Sequence, residues 1–406
     1  KLTLSFVVST KMSVKTNTYN SMMPIIWLLK MFCLNCEVEE ENFKSTLNHI
    51  KILFTTVVLG FLNFASLYYK LYYVYDVMAL SVHLTDSVQI IYDFCQYLVD
   101  LLFVYKYGRH ICVQYFKQYV MIDNKINLIC YSAMRITLLK VIVSFFATWG
   151  MGSFVEFIAW TLAYGWVTPA CHAIMYIFLF IKMLTTLDLI AHITHIGIRL
   201  KVVGDLMQDC YTSTKACENG IAVDCVSNKR WLYKNKEIIT HLKSQSNDMK
   251  LVKSLTCCYL LLTEQATFVN KYFGFRIMLN IASLLLDMIK VTNIVVRMVL
   301  GSQVTYFPAL SSLFRLVTCA AIFITMVHQA ENVYRLRDRI IDIMDHMIHN
   351  KNPDDNMRSA VINFRRMIQD RPIVFNIAHF FDLNNTLLIS VASTFVTYTI
   401  ILLQSK

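Results

Sequence analysis

Near the end of the chain, Thr386 to Gln404 reads TLLISVASTFVTYTIILLQ, an uninterrupted apolar run with no charge and no proline. As a helix rising about 1.5 Å per residue it is about as long as the ~30 Å hydrocarbon core of a bilayer. Inside lipid, backbone groups must be satisfied within the segment, so such a run is a helix or part of a closed barrel. The apolar segments here are long and do not alternate as barrel strands do, so the expectation is an all-α, polytopic transmembrane protein. The composition agrees: 56% of the 406 residues are hydrophobic and 16% are charged, against about 25% charged in soluble domains.

Six further spans are read from the chain. They cover about Leu47–Leu67, Leu84–Tyr105, Ile136–Ala163, Thr168–Leu187, Phe273–Met298 and Ala309–Val327, which makes seven with the last. Tyr68, Tyr69, Tyr72, Tyr73 and Tyr75 follow the first span as an interfacial belt. Asp86, Asp93 and Asp100 recur every seven residues in the second span and so fall near one helix face. Gly165 to Pro169 is read as a tight turn, after which the fourth span runs on through His192, His195 and Arg199 as one long rod. Asp287 and Lys290 are close enough in sequence to pair with each other. Arg297 and Arg315 are read as snorkelling side chains, and His328 and Gln329 as contacts near the end of the sixth span.

The remaining chain divides around these spans. Residues 1–46 form an N-terminal segment in which Pro24 to Leu34 is an interfacial or re-entrant helix. Residues 47–190 carry spans one to four and the expected ligand-pocket region. Residues 191–271 are a helical linker with a loose insert at Cys210–Lys229 and an amphipathic helix over Trp231–Thr267. Residues 272–328 hold spans five and six. Residues 329–385 hold charged amphipathic helices broken at Lys351–Asp355 and at Arg371-Pro372, and residues 386–404 are the last span.

The formal charge is +11, which in an apolar chain points to basic loops on the cytoplasmic side rather than to nucleic acid. Of the 38 Lys and Arg, 29 fall in residues 1–46, 106–135, 191–271 and 329–372, and the opposite loops hold only Lys70 and Lys406. The expected topology is therefore inverted relative to G-protein-coupled receptors, with the N-terminus cytoplasmic and the C-terminus outside. Asn384-Asn385-Thr386 is a glycosylation sequon that this topology leaves in the cytoplasm, unmodified. The twelve cysteines are scattered, and the Cys33/Cys36 pair lacks the second pair or nearby histidine of a zinc site. No catalytic motif is present, so neither an enzyme nor a cofactor is expected, and no paired broken helices mark a transporter.

Thr397-Tyr398, five apolar residues and Gln404 resemble the signature of insect gustatory receptors, with Ser405 in place of the usual closing Phe. Phe268–Ala282 and Phe381–Ile400 are similar to that family's approaches to its fifth and last spans. The resemblance implies a ligand-gated, non-selective cation channel of four subunits, with the last helix lining the pore and the cytoplasmic halves of the later helices forming an anchor. It implies a pore and gate at Thr397, Tyr398, Leu402, Leu403 and Gln404, and a pocket in the outer half of the membrane. Trp149, Glu156 and Trp160, seven and four apart on one face of the third span, suit a sugar there: indoles stack on C–H faces and a carboxylate accepts hydroxyl protons. The expected ligand is a small sugar such as fructose, with bitter compounds as the alternative and a transporter or non-conducting partner as rival classes. The expected setting is the plasma membrane of chemosensory cells, with Na, K or Ca permeating a homotetramer or a heteromer of related receptors.

Overall fold

The computed structural model describes residues 17–35, 42–73, 80–107, 109–126, 128, 131–219, 248–299, 306–350 and 355–404. Ten helices and one small hairpin make up these residues. The helices are α1 (Asn17–Met31), α2 (Asn42–Tyr73), α3 (Leu80–Tyr107), α4 (Arg109–Ile126), α5 (Tyr131–Tyr164), α6 (Val167–Asn219), α7 (Asp248–Val299), α8 (Tyr306–Asn350), α9 (Asp355–Asp370) and α10 (Asn385–Gln404). The hairpin, β1 (Asn376–Ile377) and β2 (Phe381–Asp382), lies between α9 and α10. Six helices, α2, α3 and α5 to α8, are long and apolar enough to cross a membrane, and α10 is a shorter apolar helix.

The bundle is built around α6. In its most apolar window 89% of residues are buried, against 22% in α2 and 17% in α5. The outer faces of α2 and α5 therefore leave large apolar side chains exposed, such as Phe54, Phe61, Met151 and Phe154, as the faces of membrane-spanning helices do. Helix α6 is packed by α8, α7, α5 and α2, while α3 lies along α7. Gly165 (φ 81°) makes the turn between α5 and α6 in a left-handed conformation that costs glycine nothing. Pro169 follows in the first turn of α6, where a missing N–H is harmless.

Several sequence expectations change here. The Cys210–Lys229 segment is not loose from its start, because α6 continues to Asn219. No proline or glycine interrupts that stretch until Gly220; the rest of the insert, and Trp231–Asn247 of the expected amphipathic helix, lie outside the described residues. Helix α1 begins at Asn17 rather than Pro24 and buries Met22, Ile25 and Leu29 against α5, α6 and α4. That face is covered by protein, whereas Met23, Trp27 and Met31 stay exposed. The sixth span and the charged helix after it are one rod, α8, because no breaker stands between Pro308 and Lys351. Cys36, the acidic run after it, Tyr75 and Lys351–Asp354 also lie outside the described residues.

The break at Arg371-Pro372 becomes the approach to the hairpin. Ala378 and His379 at its tip have φ of 49° and 63°. Asn270 on α7 holds it at two points, donating from Nδ2 to the Val374 carbonyl (2.8 Å) and accepting from the Asn376 amide (3.1 Å). Gly274, one turn further along, lets the hairpin backbone sit directly on α7: a Cβ there would meet the Ala378 nitrogen at 2.9 Å. Backbone cannot swing away as a flexible side chain would. Gly274→Val is therefore expected to destabilise the hairpin–α7 contact by about 1–3 kcal/mol, read as a lower melting temperature of the purified protein. An unchanged melting temperature would show that the hairpin does not sit this close.

Candidate functional site

Helix α10 packs on α7 and α8 along one side only. Leu387 and Leu383 anchor its start in the core. Beyond them Ala392, Ser393, Thr394, Val396, Thr397, Ile400, Ile401 and Gln404 are exposed in the single chain. Several hydroxyls on this helix are satisfied internally: Thr397 donates to the Ser393 carbonyl, Thr394 to Ser390 and Thr399 to Phe395, each at 2.9 Å. Back-bonding of this kind lets a helix carry hydroxyls in an apolar setting without orphaned donors. Tyr398 is half-buried, and the side chains of Leu402 and Leu403 lie outside the described residues.

Trp149, Glu156 and Trp160 do share the inward face of α5, as their spacing predicts. Trp149 donates its indole N–H to the Tyr176 carbonyl of α6 at 3.2 Å and packs on Phe180. Trp160 stacks on His172 with ring centroids 5.1 Å apart. Glu156 is buried and lies 4.0 Å from Arg315 of α8. Two corrections follow. Arg315 does not snorkel: it is 5% exposed and bonds Asp287 at 2.8 Å. Asp287 and Lys290 do not pair with each other, because Lys290 reaches across to Asp86 at 3.0 Å.

These residues belong to one charge network inside the bundle. Asp86 of α3 takes Lys70 of α2 (2.9 Å) and Lys290 of α7. Asp93, one heptad on, takes Lys182 of α6 (2.9 Å), which also bonds Asp287 at 2.9 Å. Four cations (Lys70, Lys182, Lys290, Arg315) face four carboxylates (Asp86, Asp93, Glu156, Asp287), so the cluster closes without net charge. Asp100, a further heptad along, takes Arg276 of α7 at 2.7 Å. The heptad was visible in the sequence; its partners, spread over three other helices, were not.

A second network lies towards α1 and α4. Arg199 of α6 forms a two-point bond with Asp123 of α4 (2.7 and 2.8 Å) and stacks its guanidinium on Tyr119 at 4.1 Å. The same guanidinium donates to Thr18 of α1 at 3.0 Å, and Thr18 donates to Asp123. Tyr119 and Tyr115 hydroxyls lie 2.8 Å apart, and Tyr115 reaches His192 Nδ1 at 2.7 Å. Burial pushes Tyr119 up to about 12 and Tyr115 above the usual tyrosine range, so both keep their protons. Reading the sequence missed this cluster, although Arg199, His195 and His192 at helical spacing were its only signal. Of the residues expected near the end of the sixth span, His328 is exposed and Gln329 half-buried. The side chain of Arg297 lies outside the described residues.

The seven-transmembrane chemosensory receptor model matches residues 26–406. No curated protein sequence gives a match. Among solved structures, the insect olfactory receptor OR5 from Machilis hrabei in complex with eugenol is similar over 96% of this chain and 99% of its own, with a TM-score of 0.61 at 13% identity. The same receptor in a structure without eugenol in its description covers 96% and 98%, with a TM-score of 0.59 at 12% identity. At that identity the likeness is one of fold.

Removing one member of a buried ion pair leaves a charge without compensation, at a cost of about 3–5 kcal/mol. Lys182 serves two carboxylates at once, so Lys182→Met is expected to fall at the upper end of that range. Adding Asp93→Asn should recover part of the loss. Melting temperature and detergent-extracted yield of the single and double variants check this; no recovery in the double variant would show that Asp93 is not held by Lys182.

Proposed function

The chain belongs to the seven-transmembrane chemosensory receptor family, and on that premise we propose that it is a ligand-gated, non-selective cation channel of four subunits acting as a gustatory receptor. The observation that carries the reading is α10. It is among the most apolar helices of the chain, yet most of its surface beyond Leu387 is uncovered in one subunit, and it holds its hydroxyls against its own backbone. A central pore formed by four copies gives that face both protein and water to meet. Thr397, Tyr398, Leu402, Leu403 and Gln404 are the proposed pore and gate residues. A ring of neutral amides with apolar neighbours narrows a pore without a fixed-charge filter, which suits weak discrimination among Na, K and Ca. The basic bias of residues 1–46, 106–135, 191–271 and 329–372 supports a cytoplasmic N-terminus and a cytoplasmic anchor made by the ends of α6, α7 and α8 with α9.

The proposed agonist is a small sugar, fructose first, held at Trp149, Glu156 and Trp160 in the plasma membrane of a chemosensory cell. Rings and a carboxylate on one helix face support it, and a sugar would displace Arg315 from Glu156 and His172 from Trp160 on entering. A specific observation favours a second reading, a small and mainly apolar aromatic ligand. Both indoles already stack on ring partners, and the receptor of similar fold is described in complex with eugenol.

Cells expressing only this chain should pass inward current on fructose, and Glu156→Gln or Trp160→Ala should reduce the response at least tenfold without loss of surface protein. Responses to aromatic compounds or alkaloids with silence to every sugar would establish the second reading. Gln404→Ala is expected to change single-channel conductance or resting leak while leaving the half-activating concentration within about threefold. A shift in agonist sensitivity alone would move the gate elsewhere. Particles in nanodiscs should weigh four times the 47.2 kDa chain plus lipid, and a mass of one or two chains would defeat the tetramer.

A further inference from the structure

Among the described residues, seven acidic side chains are buried: Asp86, Asp93, Asp100, Asp123, Glu156, Asp188 and Asp287. Six of them have a Lys or Arg within 4.0 Å. Asp188 has only the His192 Nε2, at 3.6 Å, which is too long for a hydrogen bond. His192 is itself engaged through Nδ1 with the Tyr115 hydroxyl. The neighbouring guanidinium, Arg276, bonds Asp100 through Nε, and its Nη1 and Nη2 make no hydrogen bond, so its one charge is shared between Asp100 and Asp188. With both carboxyls ionised, Asp100, Arg276 and Asp188 carry one negative charge in excess, whereas the network around Asp86 and Asp287 closes to zero. A buried carboxylate without a partner is among the costliest groups a fold can carry.

Asp188 faces a cavity of about 30 Å³ between α1, α4, α6 and α7 that opens to one side. The walls beside the carboxylate are aromatic rings that also pack on one another, and Tyr272 already carries the Arg276 guanidinium 4.8 Å from its ring centre. Tyr115 and Phe268 have centroids 4.6 Å apart, Phe268 and Tyr272 6.0 Å, and Tyr19 and Phe116 5.6 Å. The far wall, Met22, Ile26 and Leu29, is aliphatic. Rings around one carboxylate are what an organic cation requires: the ring faces attract the positive charge and the carboxylate neutralises it. A neutral ligand would leave Asp188 as it is, and an anion would worsen it. The volume takes a group of about one water in size, which fits an ammonium head and not a bulky quaternary one. The stem then lies against Met22, Ile26 and Leu29, which line the same cavity.

We propose that this cavity is a binding site for a primary organic ammonium with an apolar stem, its head held by Asp188 beside the rings of Tyr115 and Phe268. The site is separate from the Trp149–Glu156–Trp160 face and does not depend on what that face binds. It does not require the chain to conduct, because it is a statement about binding alone.

The test uses the full purified chain in nanodiscs at pH 7.4, with phenethylammonium as the probe and melting temperature and calorimetric titration as readouts. The probe should raise the melting temperature and bind saturably. 2-Phenylethanol, which keeps the stem and loses the charge, should bind at least tenfold more weakly. Asp188→Asn should weaken the probe at least tenfold, and Phe268→Leu several-fold. Should Asp188→Asn not yield folded protein, Phe268→Leu and the alcohol comparison still decide the matter. Equal affinity for the alcohol, or unchanged affinity in Asp188→Asn, would overturn the proposal and identify Asp188 as a protonated acid. An equal shift from sodium or potassium chloride in place of the amine would also overturn it, in favour of an inorganic cation site.

Discussion

The fold depends on ion pairs formed where water is absent. Helix α3 presents a carboxylate every seventh residue, and each is met by a cation from a different direction: α2 and α7 at Asp86, α6 at Asp93, α7 at Asp100. A charge inside a membrane bundle is tolerated only against a partner, so these contacts fix which helix lies beside which and at what depth. Apolar packing among lipid-like side chains has little power to do that, because one leucine face fits lipid or another helix almost equally well. The register of α2, α3, α6, α7 and α8 is thus set by a small number of polar groups.

The same logic divides the molecule into a held part and an unheld part. Helix α6 is nearly surrounded, and α1, α4 and the hairpin are tied to α6 and α7 by Arg199–Asp123 and by Asn270. Helix α10 has neither charges nor a second covering surface. Its only firm attachment in one subunit is at its start, where Leu383 and Leu387 reach the core and the Asn385 amide donates to Glu331 on α8. Beyond that start one side of α10 packs on α7 and α8, with Leu388 and Val391 against the core, and the other side stays open.

The two polar systems differ in how completely they are balanced. Around Asp86 and Asp287 every charge is met, which makes that region a rigid joint. Asp188 instead has no Lys or Arg within 4.0 Å among the described residues and sits beside a cavity and His192. Balanced networks specify one arrangement, whereas an unbalanced one invites a further charged group or a rearrangement.

Much of this was legible in the sequence. Uncharged runs the length of a bilayer have one economical use, so the all-helical class, the last helix and the long rod through Arg199 could be read directly. Seven-residue spacing placed Asp86, Asp93 and Asp100 on one face, and placed Trp149, Glu156 and Trp160 on another, because helix geometry is local. What spacing cannot give is the identity of a partner a hundred residues away. Asp287 and Lys290 looked like a pair by separation, and each instead meets a different helix; Arg315 looked like an interfacial anchor and is buried on Asp287. Helix α1 read as an interfacial segment, and only the bundle shows what covers its apolar face. The sequence determined which segments are helices and which faces are polar, since those follow from composition and period. Tertiary structure alone decided which charges meet, because a buried charge is settled by whichever partner the packing of other helices brings within reach.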